Sequence, residues 1–195
     1  VPSVAPFPPI PAPASCVHPA IPSGVCTSDP IRIGTVKDVR VLTNWGFADF
    51  DDHEGIHLFT DPDSGLQAVI AVHSTNLGPA AGGVRFWHYA NTDQAITDAL
   101  RLSRGMSFKN AMADLPLGGG KGGVLAANPG DVITTAQLEA FGRAVESLSG
   151  RYVTAEDVGM SEARMQVVAT QTRHVSGLPV GEGSAGGDPG PFTAM

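Results

Sequence analysis

Ile56-His-Leu-Phe-Thr-Asp-Pro-Asp-Ser-Gly-Leu-Gln-Ala-Val-Ile-Ala-Val-His-Ser74 reads as two strands joined by a tight turn. Ile56 to Thr60 is a short strand, and Pro62 and Gly65 punctuate the turn over 61–65. Leu66 to Ser74 is β-branched and apolar enough to be a mostly buried strand. A strand, a short turn and a strand make an antiparallel hairpin, so any sheet containing them is not purely parallel. Downstream, Gly78-Pro-Ala-Ala-Gly-Gly83 is too rich in Gly and Pro for regular structure. Thr92 and Asp93 offer an N-cap to a long helix carrying Ile96, Leu100 and Met106 and ending near Met112. Leu115 to Gly120 reads as a loop and Gly122 to Ala127 as a strand. A second helix over 134–148 places Leu138, Phe141, Val145 and Leu148 on one face, with Gly150 to end it. Tyr152 to Thr154 is a strand and 161–170 a third helix. The expected fold class is α/β, with a mixed, partly antiparallel sheet flanked by helices.

The chain has 195 residues and a net charge of −7, which excludes a basic nucleic-acid footprint. It contains no apolar run near the ~20 residues of a membrane span. Nine of the 16 prolines fall in the first thirty residues, so residues 1–30 read as a Pro-rich disordered tail. Residues 31–195 then form one domain. Cys16 and Cys26 lie in that tail and make no disulfide framework, which fits a cytoplasmic protein.

Three patterns fail on context. His53-Glu-Gly-Ile-His57 matches the HExxH string of zinc peptidases, which needs both histidines on one stable helix. Here Gly55 and the following strand oppose a helix, so no metal site is expected; a zinc hydrolase stays as a remote alternative. Gly118 to Gly123 and Gly181 to Gly186 both satisfy GxGxxG. A dinucleotide fingerprint must close a strand and open a helix. The first instead opens a strand, and the second precedes Gly187-Asp-Pro-Gly-Pro191.

What remains is a set of residues spread along the chain. The protein has only three lysines, and Lys109 and Lys121 lie in one glycine-rich stretch. With Gly82, Gly83 and Asp157 they fall at four separate strand or helix ends. A cationic Lys109 can hold an anionic group such as a carboxylate. Lys121, crowded by that cation and shielded from water, is expected to have a lowered pKa and to act as a base. Asp157 can carry a second proton, and the two glycines let a substrate approach the backbone closely.

At these residues the sequence resembles the glutamate, leucine, valine and phenylalanine dehydrogenases, from about His53 to Phe192. The carrying motifs are Leu77-Gly-Pro-Ala-Ala-Gly-Gly83, Ala99-Leu-Arg-Leu-Ser-Arg-Gly-Met-Ser-Phe-Lys-Asn-Ala111, Leu115-Pro-Leu-Gly-Gly-Gly-Lys-Gly122 and Tyr152-Val-Thr-Ala-Glu-Asp-Val-Gly159. The resemblance, closest to the leucine enzymes, implies NAD-linked oxidative deamination of an L-amino acid in a cytoplasmic homo-oligomer. It implies that Lys109 binds the substrate α-carboxylate, that Lys121 activates water, and that Asp157 handles the amine proton. Gly82 and Gly83 would contact substrate, and Thr193 would lie near the nicotinamide. Glutamate enzymes of the family carry a lysine where this chain has Ala81. An unpaired side-chain carboxylate there costs several kcal/mol, so an apolar substrate is implied, leucine or another branched-chain amino acid first and phenylalanine next. The family's nucleotide-binding domain would begin after Phe192. The chain is therefore expected to be the N-terminal substrate-binding and oligomerisation domain, truncated before its Rossmann half. The alternative is a catalytically inactive domain that self-associates or binds an amino acid.

Overall fold

The structure, a computed structural model, describes residues 45–178. Its elements run β1 (Gly55–Asp61), β2 (Leu66–Ser74), β3 (Ala80–Trp87), α1 (Thr92–Met112), β4 (Gly118–Leu125), α2 (Thr135–Ser147), β5 (Tyr152–Ala155) and α3 (Glu162–Ala169). The five strands form one sheet in the order β1-β2-β4-β3-β5. β1–β2 and β2–β4 pair antiparallel, whereas β3 runs parallel to both β4 and β5. The fold is thus α/β with a mixed sheet, as the hairpin requires.

Alternation along β2 builds the core on both faces of the sheet. Leu66, Ala68, Ile70 and Val72 pack with Phe141 and Val145 of α2 and Met165 and Val168 of α3. Val69 and Ala71 point the other way, to Ala95, Ile96, Ala99 and Leu100 of α1. A strand buried on both faces must be apolar at nearly every position, which is why 66–74 lacks a polar stripe. Helix α2 starts with a complete capping box between Thr134 and Gln137. Helix α1 is capped one residue earlier than expected: the Asn91 side chain accepts from the Gln94 backbone N–H.

Two segments read as loops are strands. Ala80 to Gly83 opens β3, and Gly118 to Gly120 opens β4. Glycine weakens an isolated strand, but here both segments lie inside the sheet, where neighbours on each side supply the ladder bonds. The glycines are also used for space. A Cβ on Gly119 would run into the α1 backbone at Ser103 and Ser107, and one on Gly120 would lie 2.6 Å from the Tyr152 ring. Buried Asn110 ties the end of α1 to β4 by donating from Nδ2 to the Gly118 carbonyl at 2.6 Å. No helix among the described residues is long and apolar enough to cross a membrane.

Candidate active site

Lys121 sits in the middle of β4, in register with Ala71 of β2, whose side chain faces α1. Its neighbours in the strand are glycines on both sides, and its register partner Ala71 is equally small. The residue is only 5 % exposed. A buried ammonium needs a partner, and Nζ finds one in the Asp157 carboxylate, which follows β5. The other carboxylate oxygen of Asp157 accepts from the Val158 backbone N–H at 2.7 Å, fixing its orientation.

Arg85 of β3 completes the cluster. Its Nε donates to the same Asp157 oxygen at 3.2 Å, and one terminal nitrogen contacts both Asp98 oxygens at 3.1 and 3.3 Å. Asp98, on α1, also accepts from the Tyr89 hydroxyl at 2.9 Å. Burial lowers the Lys121 pKa, Asp157 opposes that, and the Arg85 cation reinforces it. The Asp157 carboxyl is held below the usual carboxylate range: burial pushes it up, but its bond and charge contact with Lys121, the Val158 N–H and Arg85 outweigh that. Arg85 is raised, its two carboxylate partners outweighing burial.

Gly83 of β3 lies directly against Asp157. A Cβ on Gly83 would lie 2.8 Å from the Asp157 Cβ and 2.7 Å from the Glu156 carbonyl oxygen. Gly82 accepts a 2.7 Å hydrogen bond at its carbonyl from the hydroxyl of fully buried Tyr152. Ala81, half-buried, lies in β3 between Gly119 of β4 and Val153 of β5. Its methyl offers nothing to a carboxylate.

Several expectations change at this point. Gly82, Gly83 and Lys121 lie within strands, not at their ends. Lys109 is exposed in the last turn of α1, and its ammonium has no ion pair among the described residues. The cation that acts on Lys121 is Arg85, not Lys109, because β3 and β4 are neighbours in the sheet. Arg85, Asp98 and Tyr89 were not singled out in the sequence. Their one local signal was an arginine between Val84 and Phe86, at even spacing from Gly83 on the same strand face. Thr193 and the second GxGxxG run lie outside the described residues, as do Cys16 and Cys26.

The HExxH string also resolves structurally. His57 is in a strand, and His53 precedes it. Both ring nitrogens of His53 are engaged: Nδ1 accepts from the Asp51 backbone N–H at 3.1 Å, and Nε2 reaches the Leu100 carbonyl at 3.0 Å and Ser103 Oγ at 3.1 Å. That pattern is a neutral imidazole protonated on Nε2, serving as a core tie.

A cleft of about 860 Å³ opens beside Arg85, lined also by Trp87, Tyr89, Asp98, Arg101 and Val158. It reaches the outer end of the cluster and does not include Lys121.

Residues 53–174 match the family model described as Glu/Leu/Phe/Val dehydrogenase, dimerisation domain. The chain is 48 % identical over 143 residues to the leucine dehydrogenase of Thermoactinomyces intermedius, covering 73 % of this chain and 38 % of that protein. It is 51 % identical over 152 residues to the valine dehydrogenase of Streptomyces virginiae, covering 78 % of this chain and 42 % of that protein. The chain thus spans about two fifths of the length of such relatives. The crystal structure of L-tryptophan dehydrogenase from Nostoc punctiforme superposes with a TM-score of 0.60 at 40 % identity, over 63 % of this chain and 36 % of that one. By its match to the family model over residues 53–174, the chain belongs to the Glu/Leu/Phe/Val dehydrogenase family.

Proposed function

We propose that this chain carries the proton-transfer half of an amino acid dehydrogenase that oxidatively deaminates an apolar L-amino acid to its 2-oxo acid and ammonia. The observation that carries the reading is the buried Lys121–Asp157 pair beside the Gly82–Gly83 strand. A lysine with a lowered pKa yields the neutral amine needed to take a proton from water attacking the substrate imine. Asp157, ionised and held in place, receives and returns the proton of the substrate amine. Lys109 serves as the carboxylate anchor: exposed and unpaired, its charge is available to a substrate anion.

Ala81 supports an apolar side chain, leucine or another branched-chain residue before phenylalanine. A glutamate side chain would find no cation there and would pay its desolvation in full. The leucine and valine dehydrogenases among the relatives support the same order.

Oxidation of the substrate needs a hydride acceptor, and the family resemblance implies NAD. The described residues do not form a cradle for it. The Gly118–Gly123 run is the interior of β4, and the space above its glycines is filled by α1 on one side and Tyr152 on the other. We therefore assign the dinucleotide to residues outside 45–178, Thr193 among them. A cytoplasmic homo-oligomer completes the reading. Self-association is supported by β1, an edge strand whose outer side pairs with nothing among the described residues, with Leu58 61 % exposed and Trp45 beside it. Partners other than a second copy and the small amino acid are not part of the reading: neither nucleic acid nor membrane is.

The test is absorbance at the reduced-nicotinamide band with purified protein, NAD and a panel of L-amino acids. Reduction with leucine or valine but not glutamate is expected. The second reading is a domain that binds amino acid without turnover, since no dinucleotide cradle forms among the described residues. It predicts calorimetric binding of L-leucine with no reduction of NAD.

A further inference from the structure

We propose that Arg85, anchored from behind by Asp98 and Tyr89, is the positioning residue that fixes Asp157 against Lys121. The proposal rests on the dehydrogenase reading for its consequence, but its geometry stands without it. Five polar groups form a single line: Tyr89 after β3, Asp98 on α1, Arg85 on β3 and Asp157 after β5, ending at Lys121 on β4. No two of these five are neighbours in sequence. The tertiary fold alone assembles them.

Guanidinium geometry explains why an arginine stands here. Its nitrogens point in fixed, divergent directions, so Nε binds Asp157 while a terminal nitrogen binds Asp98. A lysine has one ammonium on a flexible stem and cannot hold two carboxylates in set directions. Asp98 is in turn held by the 2.9 Å bond from Tyr89, whose own pKa is raised by burial and by that bond. Arg85 therefore has little freedom to swing away into the adjoining cleft.

The consequence is a defined charge balance at Lys121. Asp157 alone would stabilise the ammonium and keep the lysine protonated. Arg85 shares the same Asp157 oxygen, divides that stabilisation and adds its own repulsion. The charged groups facing the pair among the described residues are these: Arg85 from β3, Asp98 from α1, and Lys121 and Asp157 themselves. With Arg85 absent, Lys121 and Asp157 would form a simple ion pair, and the amine would be harder to free of its proton.

The experiment uses the full chain labelled with 13C at the lysine ε-carbon. Only Lys37, Lys109 and Lys121 give resonances, which Lys→Arg replacements assign. The ε-carbon shift follows amine protonation, so the Lys121 midpoint is read directly and without turnover. Arg85→Gln is expected to raise that midpoint by about one pH unit, the scale of one unscreened neighbouring charge. An unmoved midpoint in a protein with an unchanged melting profile overturns the proposal. Should Arg85→Gln fail to fold, Arg85→Lys retains the cation and removes the fork; a smaller rise supports positioning, and a wild-type midpoint overturns it. Because the readout is not catalytic, a moved midpoint in a protein that never reduces NAD would sink the enzymatic reading and leave this one standing.

Discussion

Lys121 shows how much a single residue owes to its surroundings. Free lysine titrates near 10.5, and here burial and the Arg85 cation pull that value down against the upward pull of Asp157. The neutral amine is the reactive form, so kcat/KM is expected to rise with pH and to level off below the range of an ordinary lysine. A profile that levels only above pH 10.5 would contradict the role of Lys121 as base. Replacing it by methionine keeps an unbranched side chain of similar length while removing the base. Deamination is then expected to fall at least ~100-fold, the low end of general-base contributions, with substrate binding little changed. The same shift bears on stability with a definite sign. The unfolded chain binds a proton at this site that the folded chain resists, so the Lys121 contribution improves as pH rises towards 10.5. Asp157 acts in the opposite range: its contribution is present above 3.8 and is lost as pH falls through its lowered folded value.

Strand β4 carries the argument at the level of elements. Five of its first six residues are glycine, and no propensity scale favours a strand there. It forms because the missing side chains allow two other elements to approach: α1 at Gly119 and the Tyr152 ring at Gly120 and Gly122. Gly120→Ala would place a methyl 2.6 Å from the ring of fully buried Tyr152. A loss of about 1–3 kcal/mol is expected from such overpacking, read as a drop in the urea midpoint. An unchanged midpoint would mean that the ring can move aside. Helix α2 depends instead on local chemistry. Thr134 and Gln137 satisfy each other's backbone donors in a capping box. Thr134→Ala is expected to cost about 1 kcal/mol by the same measurement. This difference explains what could be read early. The 3.6-residue periodicity of α2 is local and was legible, whereas the strand character of Ala80–Gly83 and Gly118–Gly120 exists only in the assembled sheet.

Across the whole molecule, neutral histidines tie the β1–β2 end of the sheet to α1. His53 binds Leu100 and Ser103, His73 Nδ1 lies 2.7 Å from Ser107 Oγ, and the two rings meet edge to face at 4.8 Å. Burial lowers both pKa values below 6.5. The unfolded chain therefore binds protons that the native one refuses, and stability is lost as pH falls from 6.5 towards the folded values. The urea midpoint is expected to be lower at pH 5.5 than at pH 7.5, with a smaller difference in His53→Gln. An equal difference in both proteins would remove His53 from the account. Read as a chain of letters, the protein already disclosed its class: the hairpin over 56–74, the helix periods, and the motifs around Lys109, Lys121 and Asp157 that mark its family. Those signals are local in sequence, and secondary-structure periodicity and family motifs need nothing more. The cation acting on Lys121 was different, since the sequence offered Lys109, twelve residues away, and the sheet supplied Arg85 from the adjacent strand. Strand order, and with it the burial of Lys121 and the cation placed beside it, arises from packing between segments far apart in the chain, so only the tertiary structure decided it.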